Sequence, residues 1–121
     1  MIFTFAKNTD LKIYQWHQLE QKLLAGIPDR QITGITIAGK AISILMHNGN
    51  IYAFASLCPH AGAPLCDGWV DAMGRVVCPM HKYRFDPANG RNTSGEGYKL
   101  YTYPVENRNG EFFVGLPETN F

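Results

Sequence analysis

Cys58-Pro59-His60-Ala61-Gly62-Ala63-Pro64-Leu65 and Cys78-Pro79-Met80-His81, with seventeen residues between His60 and Cys78, decide how this chain is read. Each half supplies one thiol and one imidazole. All three cysteines (Cys58, Cys66 and Cys78) and two of the four histidines of the 121 residues fall between positions 58 and 81. An odd, low cysteine number argues against a disulfide framework, so grouped cysteines beside histidines are read as metal ligands. Two soft thiolates and two imidazoles suit either zinc or an iron–sulfur cluster. Ordinary Cys2His2 zinc sites pair cysteine with cysteine and histidine with histidine. Here each half is mixed, and a single residue separates Cys58 from His60. That spacing suits a centre whose cysteines bind one metal ion and whose histidines bind another. Cys66 matches no ligand position and is expected to be a buried free thiol.

Outward from these motifs the pattern is β. Ile51 to Ser56 leads into Cys58, and Val76-Val77 leads into Cys78, so two similar loops each follow a short strand. Glycine and proline crowd residues 57–90, as expected of loops. Tyr83 to Asp86 reads as the strand leaving the second loop, and Asp86-Pro87-Ala88-Asn89-Gly90 as a turn. Upstream, Ile35 and Ile37 alternate, Gly39-Lys40 offers a turn, and Ile42, Ile44 and Met46 alternate again. Asn48-Gly49 between two such runs signals a hairpin. Downstream, Lys99 to Val105 and Glu111 to Leu116 predict a second hairpin across Asn109-Gly110, with Pro104 marking an edge. Near the N-terminus a short strand is expected over residues 1–7 and another short run at Leu11 to Tyr14. Residues 15–25 have a helical pattern, with Leu19, Leu23 and Leu24 on one face and Gly26-Ile27-Pro28 as the stop. Trp16, Trp69 and Phe85 are expected to pack inside, and His17 and His47 to have no role. The result is an all-β single domain over residues 1–121, with a segment of about residues 57–90 inserted between strands, whose two loops carry the candidate ligands.

Composition narrows the function. The chain is 45% hydrophobic and 17% charged with a net charge of +1, an ordinary globular mixture. No run of like charge points to nucleic acid or an anionic membrane surface. No stretch approaches the roughly 18 apolar residues that span a bilayer. Met1 to Lys7 does not read as a signal peptide, so a cytoplasmic location is the expectation.

The chain resembles the Rieske family through Cys58-Pro59-His60-Ala61-Gly62-Ala63-Pro64-Leu65, Gly68, Cys78-Pro79-Met80-His81, Phe85-Asp86 and Gly90. The resemblance covers most of residues 30–116. It implies a Rieske fold of antiparallel sheets, a small sandwich- or barrel-like base carrying the inserted cluster-binding subdomain. It also implies one [2Fe–2S] cluster, with Cys58 and Cys78 on an inner iron and His60 and His81 on an outer iron near the surface. Neutral imidazoles in place of thiolates remove two negative charges and raise the potential. The high-potential branch of the family carries an additional cysteine in each loop; the matching positions here are Ala63 and Met80, so that disulfide cannot form. That branch also places a serine and a tyrosine as donors to the cluster, where this chain has Tyr83 and Phe85. Fewer donors predict a potential at the low end of the Rieske range, about −150 mV.

The expected function is therefore a Rieske-type ferredoxin, an electron-transfer protein rather than an enzyme. The resemblance implies a flavin-dependent reductase and a terminal oxygenase as partners. The alternatives are a small Rieske subunit of a multi-subunit oxidoreductase such as assimilatory nitrite reductase, or a zinc-binding module. A Rieske oxygenase needs a further two-histidine, one-carboxylate iron site, and only His17 and His47 remain. Pro64, Leu65, Pro79 and Met80 are expected to form an apolar collar around the histidines, with Lys82, Tyr83 and Arg84 adding charge beside it.

Overall fold

The computed structural model describes residues 13–60 and 62–118. The strand expected over residues 1–7 lies outside them, as do Leu11 and Lys12. Tyr14–Gln18 form strand β1 where the sequence pattern predicts a helix from residue 15. Helical spacing is a local signal, and here a distant partner overrides it: each β1 residue pairs antiparallel with the segment Phe113 to Pro117. The helix shrinks to α1, Gln21–Ala25, and it stops at Gly26, whose N–H donates to the Leu23 carbonyl while the Ile27 N–H donates to that of Leu24. Leu24 is buried on this helix and Leu23 half-buried, while Leu19, also buried, lies ahead of it. Trp16 is half-buried rather than internal: its ring lies against Gly115 and beneath the Arg108 guanidinium, 5.3 Å from its centroid.

Strands β2 (Thr33–Ile37), β3 (Lys40–His47) and β4 (Asn50–Ala55) form a meander. Its first turn falls at Ala38-Gly39, one residue before the expected place, and its second at Asn48-Gly49. All four turn residues have positive φ, the conformation of tight hairpin turns that match the strands' twist. The alternation of Ile42 and Ile44 identifies one buried face, shared with Leu19, Leu24, Val114 and Leu116. Leu45 faces the opposite way into a second cluster with Phe54, Leu65, Val76, Phe85 and Leu100. β3 thus lies between two apolar clusters and is buried on both faces.

The small sheet that follows contains β5 (Trp69–Val70), β6 (Val76–Val77) and β7 (Arg84–Phe85), in that order. The long strand expected from Lys99 to Val105 is divided at Pro104, which has no N–H to continue a ladder. Before it, β8 (Thr102–Tyr103) pairs with β4; after it, β9 (Val105–Arg108) pairs with β10 (Glu111–Pro117) across Asn109-Gly110. All pairings among the named strands are antiparallel, in three sheets ordered β1-β10-β9, β2-β3-β4-β8 and β5-β6-β7. Phe85 is fully buried, whereas Trp69 is 43% exposed, because the two-residue β5 pairs with β6 on a narrow sheet that does not cover it.

Candidate metal centre

Two loops leave the strand ends and close on themselves by backbone hydrogen bonds. In the first, the Cys58 N–H donates to the Ala63 carbonyl and the Gly62 N–H to the Cys58 carbonyl, each at 2.8 Å. Leu57 forms an isolated antiparallel bridge with Pro64. In the second, the Cys78 N–H donates to the Tyr83 carbonyl at 2.9 Å, and the Met80 N–H reaches the Cys78 Sγ at 3.4 Å. The chain reverses there through His81 and Lys82, both at positive φ, a conformation that costs a non-glycine residue about 1–2 kcal/mol. Such strain persists only where the surroundings hold it, and it concentrates at functional sites.

These loops bring together the four residues singled out by the sequence. Cys58 and Cys78 are buried among Phe54, Leu65, Val76 and Phe85, while His60 is half-buried and His81 exposed. One ligand atom from each of Cys58, His60 and Cys78 lies within 4.8 Å of the others. The His81 Nδ1 is 3.1 Å from the His60 Nε2. Burial pushes the Cys78 thiol up to about 11; the Met80 N–H opposes this, and the neighbouring Cys58 reinforces it. Neither cysteine is in a disulfide. The His60 Nδ1 is buried without a hydrogen-bond partner, a state that costs about 1–3 kcal/mol. Two adjacent buried thiols and an orphaned imidazole nitrogen fit a soft metal centre, whose positive charge favours thiolates and whose coordination uses the lone pair.

Aromatic rings surround the histidines. Tyr83 stacks on His60 with centroids 3.9 Å apart and planes 25° apart, and Tyr98 meets the same ring edge-on at 5.6 Å. Burial, then Glu96, Tyr98 and Cys58, raise the pKa of the Tyr83 phenol above its usual range. Glu96 is held by Ser94 and Asn92, which lower its carboxyl pKa despite some opposing desolvation, and His60 adds to the lowering. Neither Tyr98 nor Glu96 is marked by the sequence, because both fall in a polar stretch with no periodicity.

Several expectations need correction. Cys66 is exposed, not buried: it sits in a single 3-10 turn, Leu65–Asp67, that turns Leu65 inward instead. Leu65, fully buried, is therefore no part of a surface collar. Pro64 and Met80 are exposed and Pro79 half-buried, and Leu57, next to Cys58, is exposed as well. Arg84 is not a free charge, since its Nε lies 3.2 Å from the Asp71 Oδ2. Burial works to raise the Asp71 carboxyl pKa. The N–H groups of Arg75 and Met73 and the Arg84 guanidinium outweigh that and hold it below the usual carboxylate range. His17 and His47, both half-buried, are not in the metal-ligand grouping.

A family model described as the Rieske [2Fe-2S] domain matches residues 17–104. The chain belongs to the Rieske [2Fe–2S] domain family. Among its relatives, the ferredoxin component of the naphthalene 1,2-dioxygenase system of Pseudomonas putida is 30% identical over 99 residues, which are 81% of this chain and 94% of that one. The corresponding component from Pseudomonas aeruginosa is 35% identical over 81 residues, 66% of this chain and 77% of the relative. Among solved structures, the ferredoxin of carbazole 1,9a-dioxygenase from Nocardioides aromaticivorans IC177 superposes with a TM-score of 0.67 at 27% identity, covering 75% of this chain and 89% of that one. The putative NADH-dependent nitrite reductase small subunit from Mycobacterium tuberculosis shares the fold, with a TM-score of 0.74 at 19% identity over 88% and 99% of the two chains. The cofactor of this Rieske domain is one [2Fe–2S] cluster, and the chain is an electron carrier, not itself a catalyst. Among the described residues no helix is long and apolar enough to cross a membrane.

Proposed function

We propose that Cys58 and Cys78 bind one iron of the cluster and His60 and His81 the other. On this reading the protein carries one electron from a flavin-dependent reductase to a terminal oxygenase. The observation that carries the assignment is the gradient across the site: two buried thiols, a half-buried imidazole with an orphaned Nδ1, and an exposed imidazole beside it. When bound, the cluster supplies a one-electron couple. Cys58 and Cys78, buried, would hold it away from water, and His60 and His81 would keep it within reach of a partner. The likeness to ferredoxin components of naphthalene dioxygenase systems supports an oxygenase as acceptor. Residues 57–90 then act as the cluster-binding subdomain within one domain of residues 1–121. A cytoplasmic setting agrees with three cysteines that are all free.

A second reading, a small subunit of a multi-subunit oxidoreductase, is supported by the fold shared with the nitrite reductase small subunit along 99% of that chain. The deciding experiment is an EPR spectrum of the dithionite-reduced protein with iron and zinc analysis. The proposal expects a rhombic signal with average g below 2 and two irons per chain. Zinc in place of iron, with no signal, would sink it and leave a structural metal module. Gel filtration from the native source separates the two redox readings: a free small protein favours the ferredoxin, a stable complex with a large chain the subunit.

A further inference from the structure

The two histidines are not equivalent. His60 has Tyr83 stacked on one face at 3.9 Å and Tyr98 against it at 5.6 Å, and these two tyrosines are in contact with each other at 5.9 Å. His81 stands 6.4 Å from the Tyr83 centroid, tilted rather than stacked, and is exposed on a turn flanked by exposed Met80 and Lys82. An aromatic ring stacked at this distance excludes water from the face it covers and holds the imidazole plane. The Tyr83 backbone is itself fixed, because its carbonyl accepts the Cys78 N–H. The ring over His60 is thereby tied to the loop that carries the opposite pair of ligands.

We infer that Tyr83 is a positioning residue for His60 and that, with Tyr98, it walls off this imidazole, leaving His81 as the histidine a redox partner touches. The inference rests on the proposed ligand set and deepens it: of two chemically alike ligands, one is a structural support and the other the contact. A partner docking on the Met80–Lys82 turn would meet the His81 edge directly. An approach to His60 would first meet the Tyr98 ring, itself 44% exposed.

The test labels the cluster-loaded protein with diethyl pyrocarbonate, which acylates accessible imidazole nitrogens, and maps the sites by mass spectrometry. His81 should react several-fold faster than His60. Tyr83→Phe, which keeps the stacked ring, should preserve that difference. Tyr83→Leu and Tyr98→Ala should each raise the His60 rate toward that of His81 in the protein that retains its iron. Pulsed EPR gives a second readout: Tyr83→Leu should change the nitrogen coupling of one histidine and leave the other unaltered, whereas Tyr83→Phe should change neither. Equal labelling of the two histidines in the native protein would overturn the inference, as would a His60 rate unmoved by both Tyr83→Leu and Tyr98→Ala. If Tyr83→Leu fails to fold, Tyr98→Ala, at a partly exposed position, decides alone. Native protein without iron would overturn the ligand reading itself, a result separate from any labelling pattern.

Discussion

Replacing Gly68 by alanine tests how the second loop is held in place. Gly68 has φ −89 and ψ −158, which any residue adopts, so the cost is steric and not conformational. A Cβ there would sit 2.0 Å from the Val77 carbonyl oxygen and 3.2 Å from the Leu65 oxygen. Both are backbone atoms, so a segment has to move by about 1 Å rather than a side chain swing away; overpacking of this kind costs roughly 1–3 kcal/mol. The movement also separates β5 from β6, which pair over only Trp69–Val77 and Val70–Val76, and each lost hydrogen bond costs about 1 kcal/mol. A destabilisation of about 3 kcal/mol, at an unfolding entropy of roughly 2.1 cal/mol/K per residue, lowers Tm by about 12 °C for a chain of this length. Because Val77 precedes Cys78, iron occupancy should fall with it. The assay is thermal unfolding of the loaded protein at one scan rate, with iron measured on the same samples. Gly97→Ala, where a Cβ meets nothing within 4 Å, is the control and should stay within about 0.5 kcal/mol of the native protein. A Gly68→Ala protein with native Tm and full iron would refute the close approach and the account of how Cys78 is positioned.

Asp71 predicts a pH effect. Its carboxyl pKa is held below the usual range, so its contribution is fully present above the unfolded-state value of about 3.9 and lost as pH falls from there through the lower folded-state value. Asp71→Asn should cost no more than about 1 kcal/mol at neutral pH, since Arg84 is partly exposed, and should flatten the loss of stability below about pH 4 in urea titrations; an unchanged slope would contradict this. Cys78→Ser should abolish iron binding while Cys66→Ser, at an exposed position, leaves it intact, as iron analysis of the two purified variants will show. Voltammetry should give a midpoint near the bottom of the Rieske range, about −150 mV; a value in its upper half, which extends to about +300 mV, would mean that donors to the cluster sulfurs have been overlooked.

Much of this protein was legible in its sequence wherever the signal was local. Asn48-Gly49 and Asn109-Gly110 are short-range turn signals, because a glycine paired with asparagine accepts the two positive φ angles of a hairpin, and both turns form there. The four candidate ligands were legible for a related reason: mixed cysteine–histidine pairs at close spacing are rare unless chemistry requires them, and the chain brings all four to one place. What depends on distant partners was not legible. Residues 15–18 become strand because β10 offers them a ladder, although the helical pattern expected over 15–25 runs across them. Pro104 divides one apparent strand between two sheets, since β4 and β10 each capture the half on their own side. Cys66 points outward because Leu65 fills the space its turn encloses. The tyrosines over His60 come from the second loop and from a polar stretch with no pattern, so only the folded chain could set one histidine apart from the other. Sequence patterning records what each residue prefers beside its neighbours, whereas burial and pairing between segments far apart in the chain decide which preferences are satisfied.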